Sequence, residues 1–323
     1  MPATITHAYF AKDVYDVLPE EIQNKINKNR IKTFGQSFDP LMFYNMFSVL
    51  PGKNIRKLHH YFHDNNTRDF FINMLDYIKT NKLDNDKDVC SFLAGFICHY
   101  VLDSNVHPYV IYKTGRFDKK NKSTFKYNNV HAFMEVFIDN DMVMRRENIN
   151  PYTYKIGKEC FFLNKFSNKL DKTIDYTFNK TFGVDNMSKI YYKSLVQMRN
   201  ALVLFRRDPY GMKKDIYKLV DTFTPKSCFR FEAISYHYPL EDKHNFLNSD
   251  NKVWRNPTTY DITSNESFID LYLKSIKEAQ RIICKSFDYL DDRKVDLNKV
   301  FINKSYYSGL DCDDKKDYVY FEY

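Results

Sequence analysis

Glycine is scarce, with 8 in 323 residues. Strand-rich folds need glycine in their turns, so this shortage argues against a β architecture. Cysteine is sparse and scattered, at positions 90, 98, 160, 228, 284 and 312. No two of them form a C-x-x-C pair, which excludes a thiolate zinc finger. The irregular spacing in so long a chain also argues against a disulfide framework, so the thiols read as reduced and the protein as cytoplasmic. Long apolar runs are missing too. The longest window, Val89 to Leu102, holds 14 residues with His99 inside it, short of the ~18 that span a bilayer. No secretory signal is evident, because Lys12, Asp13, Asp16, Glu20 and Glu21 interrupt the N-terminal region.

What is present is an ordinary globular composition, 43% hydrophobic and 28% charged, in a chain long enough to bury a core. The net charge of +8 suits an anionic partner. It is spread along a Lys-, Asn-, Ile-, Phe- and Tyr-rich sequence without a compact basic run and carries little weight alone.

Apolar periodicity predicts helices over 7–29, 53–80, 88–103, 129–146, 157–180, 187–206, 210–222, 227–236 and 265–290. The clearest is 88–103, where Val89, Phe92, Leu93, Phe96, Ile97 and Tyr100 form one stripe. Gly35, Pro40, Pro51 and Gly52 make 34–52 a loop, carrying the apolar run Met42 to Phe47. That run reads first as core, and second as a lip that could touch a membrane or admit an acyl chain. Residues 115–127 and 238–262 are irregular, and the Asp-, Lys- and Tyr-rich stretch 301–323 is a tail. The expectation is an all-α fold in a single domain, 1–300, with a metal-binding half over 1–150 and a buttressing half over 151–300.

Histidine is distributed unevenly: seven of nine fall within the first 131 residues. His99 and Asp103 lie four apart on the apolar face of the 88–103 helix, so both point to the core. A buried Asp and His must be paired or ligated. His107 follows where that helix should end, before Pro108, and His131 and Glu135 repeat the four-residue spacing. The pattern H-x3-D-x3-H-x23-H-x3-E mixes imidazole and carboxylate donors as hydrolytic zinc sites do. A lone His/Asp pair at this spacing is usually a helix-surface hydrogen bond; two pairs joined by a further histidine point to metal.

The string Cys98-His99-Tyr100-Val101-Leu102-Asp103, His107 and His131-x3-Glu135 resembles the zinc-dependent phospholipase C family and the related trizinc single-strand nucleases. Met1 to Phe10 is similar to the N-terminal helix of the phospholipase branch. Gly35 to Pro40 resembles its aspartate-bearing loop, His63-Asp64-Asn65-Asn66-Thr67 its second histidine helix, and 242–257 the C-terminal half of cytoplasmic members. The resemblance implies a first metal on Asp39, His63, His99 and Asp103. It implies a second on His107, His131 and Glu135, and a third on His7 with Asp103 shared between two ions. Secreted members complete the third site with an N-terminal tryptophan. The one tryptophan here is Trp254, which leaves two or three zinc ions open. His60 is an alternative to His63, and the following Asn-Asn-Thr favours His63. His59 reads as solvated or supporting, and His237 and His244 as structural. Asp39, on a loop, is the expected general base.

The implied activity is hydrolysis of a phosphodiester, a phospholipid above all, with peripheral membrane contact. Three rivals stand beside it. A nuclease could use the same site, with some of the 28 Phe and 26 Tyr as base platforms, although nucleic acid ranks below lipid as a partner. An HD-type phosphohydrolase fits His63-Asp64 but leaves His131 and Glu135 unexplained. A helical interaction module could keep metals for stability alone. Oligomeric state, head-group preference and physiological role are not encoded legibly.

Overall fold

Pro19 divides what periodicity joins into one helix over 7–29. The computed structural model has α1 over Thr4–Val17, α2 over Glu20–Lys25 and α3 over Lys28–Phe34. Pro19 stands at the N-cap of α2, where its fixed φ and missing N–H cost nothing. The Asn27 side chain caps α3 by accepting from Asn29 N and Arg30 N. The structure describes residues 4–46, 52–206, 208, 210, 212–225, 230–236, 242 and 244–322.

The stretch 53–80 is likewise two helices, α4 over Gly52–His63 and α5 over Thr67–Thr80. Between them Asn66 adopts a left-handed φ of 52°, a conformation asparagine tolerates. Next comes α6, Lys87–Thr114, capped by Asp86. It is longer than its stripe suggests and does not end at His107. Pro108 lies inside it, where the ring costs one helical hydrogen bond and crowds the Ser104 carbonyl. By length and composition α6 could cross a membrane, yet 94% of the qualifying window is buried. It is the central core helix, apolar nearly all round.

The remaining helices are α7 over Val130–Glu147, α8 over Ile156–Glu159, α9 over Asn168–Phe182, α10 over Met187–Phe205, α11 over Met212–Thr222, α12 over Phe268–Leu290 and α13 over Leu297–Val300. The span 157–180 thus breaks into α8 and α9. Within 227–236 the described residues hold only a 3₁₀ turn at Glu232–Ile234. A two-stranded antiparallel pair, β1 over Trp254–Arg255 and β2 over Thr263–Ser264, is the one sheet among the described residues. The fold is all-α.

Helices α1, α3, α7, α9 and α12 pack around α6. Gly95 allows the closest approach: a Cβ there would collide with the backbone of Phe34 and Gly35. One turn later His99 reaches the Gly35 carbonyl. A 3₁₀ turn at Asp39–Phe43 packs on α4 and α10 and sets Asp39 facing α6. Beneath it Phe38 lies among Phe62, Phe70, Phe96 and Phe178, with ring centroids 5.2–5.8 Å apart. The five described cysteines are free; Cys228 and His237 lie outside the described residues.

The run 42–47 is not plain core: Met42 and Met46 are exposed, Phe43 and Tyr44 half-buried, and Phe47 lies outside the described residues. The stretch 301–322 has little regular structure but is bound in closely. Tyr306 N donates to the His63 carbonyl, Cys312 N to Asn303 O, and Glu322 N to Tyr112 O. Its polar composition conceals Phe301, Tyr306 and Cys312, which are buried.

Candidate metal centre

Four helices and one turn aim polar side chains at a common interior point. α6 supplies His99, Asp103 and His107 on three successive turns, the i, i+4 spacing that stacks side chains on one face. α1 supplies His7, α4 supplies His59 and His63, α7 supplies His131 and Glu135, and the turn supplies Asp39. All of these are buried except His131, which is partly exposed beside Glu135 at the solvent edge.

Asp103 is the hub. Its Oδ2 lies 3.0 Å from His99 Nε2, 3.4 Å from His107 Nδ1 and 3.9 Å from His63 Nε2. Its Oδ1 lies 3.2 Å from His7 Nε2. Asp39 Oδ1 lies 3.4 Å from His63 Nε2 and 3.8 Å from His99 Nε2, and those two nitrogens are 3.4 Å apart. The edges of a zinc tetrahedron with bonds of 2.0–2.1 Å are about 3.3 Å, so Asp39, His63, His99 and Asp103 have the size of one site. In a second group His131 Nε2 lies 2.8 Å from Glu135 Oε1, with His107 Nε2 3.8 Å from the same oxygen.

The far nitrogens of the rings are already engaged. His63 Nδ1 donates to the His59 carbonyl at 2.6 Å, His99 Nδ1 to Gly35 O at 2.9 Å, and His107 Nδ1 to Tyr306 O at 2.9 Å. His131 Nδ1 sits 3.3 Å from the Thr114 hydroxyl. Such bonds fix the tautomer and leave each Nε2 lone pair directed inward, the usual second contact of a metal-bound imidazole.

Protonation states agree with this. Burial works to raise Asp103, but the imidazoles of His107, His99 and His7 outweigh it and hold the carboxylate well below its usual range. Asp39 is depressed in the same way by His99, His59 and His63 against its burial. Burial pushes His107 down to about 4 and, with His63 alongside, His59 down to about 3. Burial and the neighbouring His99 lower His7 as well. His99 goes the other way: burial lowers it, but Asp103 and Asp39 prevail and raise it.

Both oxygens of Asp103, Oδ2 of Asp39, both nitrogens of His7 and Nδ1 of His59 are buried with no hydrogen-bond partner. Ionised carboxylates so placed cost several kcal/mol unless a cation is nearby. Bare carboxylates beside the neutral rings of His7 and His107 are the state a divalent transition metal takes up. The proton that Asp103 and Asp39 favour on His99 is the one a metal would displace, so the donor set fits zinc.

Each site residue expected from the sequence lies in this assembly: His7, Asp39, His63, His99, Asp103, His107, His131 and Glu135. His60 does not; it is exposed and shares a 2.7 Å hydrogen bond with the Tyr307 hydroxyl. His59 is not solvated. It is 2% exposed and its Nε2 donates to Asp39 Oδ1 at 3.0 Å. The spacing 59–63 matches that of 99–103, and this was the available signal. His7 stacks on His99 at 4.1 Å. Trp254 serves elsewhere, its indole donating to Glu266 O and its ring packed on Tyr109.

Two contributions carry no sequence signal. Tyr306 and Tyr307, from the C-terminal stretch, cover the centre: Tyr306 packs on His63 and His99, and Tyr307 on His63 and His107. Asp139, two turns beyond His131, is buried and accepts from Ile5 N, Thr6 N, the Thr6 hydroxyl and the Tyr236 hydroxyl. It satisfies the amide groups at the start of α1 and ties that helix, with His7, to α7.

No curated protein and no solved structure is significantly similar to the chain. A family model described as zinc dependent phospholipase C matches residues 6–184, a span that begins beside His7 and takes in all eight expected ligands. With that match over more than half its length, the chain belongs to the zinc-dependent phospholipase C family.

Proposed function

We propose that this protein is a zinc-dependent phosphodiester hydrolase that cleaves a phospholipid to diacylglycerol and a phosphorylated head group. The observation that carries the reading is Asp103, a fully buried carboxylate whose two oxygens face different histidines with no other partner. A carboxylate so placed would serve two cations at once.

Two or three ions would fit the donors. Asp39, His63, His99 and Asp103 would hold one; His107, His131 and Glu135 would hold another; His7 and the second oxygen of Asp103 would begin a third. Zinc bound there supplies Lewis acidity, polarising a phosphoryl oxygen and lowering the pKa of water toward ~7. The protein's own groups do the rest. His131 and Glu135 at the solvent edge form the mouth through which the phosphate enters. Asp39, ionised and with one oxygen unshared, accepts the proton of the attacking water. His59 holds the other Asp39 oxygen and so aims the base. Tyr306 and Tyr307 exclude bulk water from the cluster, which strengthens electrostatic effects inside it.

Elemental analysis combined with three parallel assays tests the reading. The zinc-loaded protein is expected to hydrolyse vesicle phospholipid and a water-soluble phosphodiester, and to leave single-stranded DNA largely intact. Rapid DNA cleavage without lipid turnover would assign a nuclease instead. Full zinc occupancy without turnover of any phosphodiester would reduce the centre to a structural one.

A further inference from the structure

Helix α11 is built inside out. Its apolar residues Met212, Ile216, Leu219 and Val220 are 65%, 52%, 62% and 42% exposed, and Phe223 just beyond is 82% exposed. At helical spacing these five fall within an arc of about 100°, the width of a normal core-facing stripe. The inward side is polar. Asp221 is buried and accepts from Phe231 N and Glu232 N, while the Tyr217 hydroxyl donates to Phe205 O. An ordinary surface helix would place these two faces the other way round.

The apolar surface extends past α11. Leu204, 58% exposed, lines a groove with Val203 and Lys213. It also lines a second groove with Phe43 and Met46, so the exposed part of the 42–46 run adjoins the same surface. Cations border it on one side: Lys213, at the edge of the stripe, lines the first groove together with Lys155, Lys158 and Arg199. Asp215, at the other edge of the stripe, offsets part of that charge, while Lys214 and Lys218 lie on the polar side, Lys218 3.8 Å from Glu232.

We infer that α11, with Leu204 and Met46, is the surface by which the enzyme lies on an anionic lipid bilayer. An exposed apolar stripe with a cation-lined groove along one margin is the pattern of a surface that rests in the plane of the interface. The lysines meet anionic head groups as the apolar face enters the acyl boundary. A contiguous apolar surface on a lone protein marks an interaction site, and the bordering cations choose among occupants. Two copies meeting at this face would bring their lysines together, whereas an anionic bilayer neutralises them. The inference rests on the phospholipid reading of the metal centre.

Flotation with vesicles tests it, using phosphatidylcholine with and without a phosphatidylglycerol fraction. The zinc-loaded protein should float with anionic vesicles and dissociate from them as salt rises. Ile216→Glu with Leu219→Glu should weaken flotation at least about tenfold. Both positions are exposed, so zinc content and turnover of a water-soluble phosphodiester should stay at wild-type levels. Lys155→Glu with Lys158→Glu, both exposed in the first groove, should remove the preference for anionic over neutral vesicles. Wild-type protein that ignores anionic vesicles, or an apolar variant that floats unchanged, overturns the inference. So does a dimer in sedimentation that these substitutions dissolve, since the face would then belong to a second copy. Loss of flotation in the variants, with no phosphodiester turned over even by wild type, upholds the surface and rejects the hydrolase reading alone.

Discussion

Asp103 and His59 show what a single side chain does at this centre. Asp103 touches both His7 and His99 from one carboxylate, whereas His59 touches Asp39 alone among the site carboxylates. Asp103→Asn removes a shared anion and should lower bound zinc and phosphodiester turnover by 100-fold or more, roughly the upper end of losses for supporting residues. His59→Ala should cost about 10-fold, by loosening Asp39. Equal losses in titrations of bound zinc would show that His59 is itself a ligand. A second pair tests the choice on α4: His63→Ala should release zinc, and His60→Ala, at an exposed position, should leave it bound. Most of the centre was legible at this scale because 99/103 and 131/135 repeat a helical spacing. The burial of His59 was not, since its neighbour His60 made the face of α4 ambiguous. Asp139 was invisible because its partners, the Ile5 and Thr6 amides, are more than 130 positions away.

At the scale of elements, periodicity found where helices exist and missed where they break. α4 and α5 share an apolar pattern that runs across the left-handed Asn66, and only the backbone reveals the division. α6 shows the opposite error. Proline usually ends a helix, but α6 is packed on several sides and continues through Pro108, because tertiary packing outweighs one lost hydrogen bond. The Ser104 carbonyl so crowded is where Gly309 comes against α6: φ there is +67°, and a Cβ would collide with Ser104 O. Gly309→Ala should therefore cost about 1–3 kcal/mol from backbone strain, more from the clash. It should also shift the stretch that brings Tyr306 O to His107 Nδ1. A lowered Tm together with faster loss of zinc to a chelator is the expected result. A normal melting point would mean that residues 301–322 are held less firmly than their hydrogen bonds indicate.

Across the whole molecule the packing of α1, α4, α6 and α7 is bound up with charge at their meeting point. Two ionised carboxylates and several neutral imidazoles share a dry interior, an arrangement that favours the fold only with cations present. Chelation should lower Tm substantially, and zinc should restore it in proportion to ligand excess. The metal-free protein should also carry a signature in pH. His59 and His107 are held at about 3 and about 4, against an ordinary value of 6.5. Unfolding exposes both rings, so from pH 6.5 down to about 4 the unfolded chain binds protons that the fold excludes. Stability therefore falls as pH falls through that window, by up to roughly 1.4 kcal/mol per pH unit for each ring. Asp39 and Asp103 act lower down. Their depressed values lend stability that is present above 3.8 and lost only as pH falls through the folded-state values. His7, also lowered, adds to this fall, while His99, raised by Asp103 and Asp39, lends stability that is lost only as pH rises above 6.5. Thermal melts of the chelated protein should thus slope downward below 6.5. His59→Gln should reduce that slope, because one of the lowered rings no longer titrates. An unchanged slope would mean that His59 is protonated inside the fold and that its bond to Asp39 is a buried ion pair.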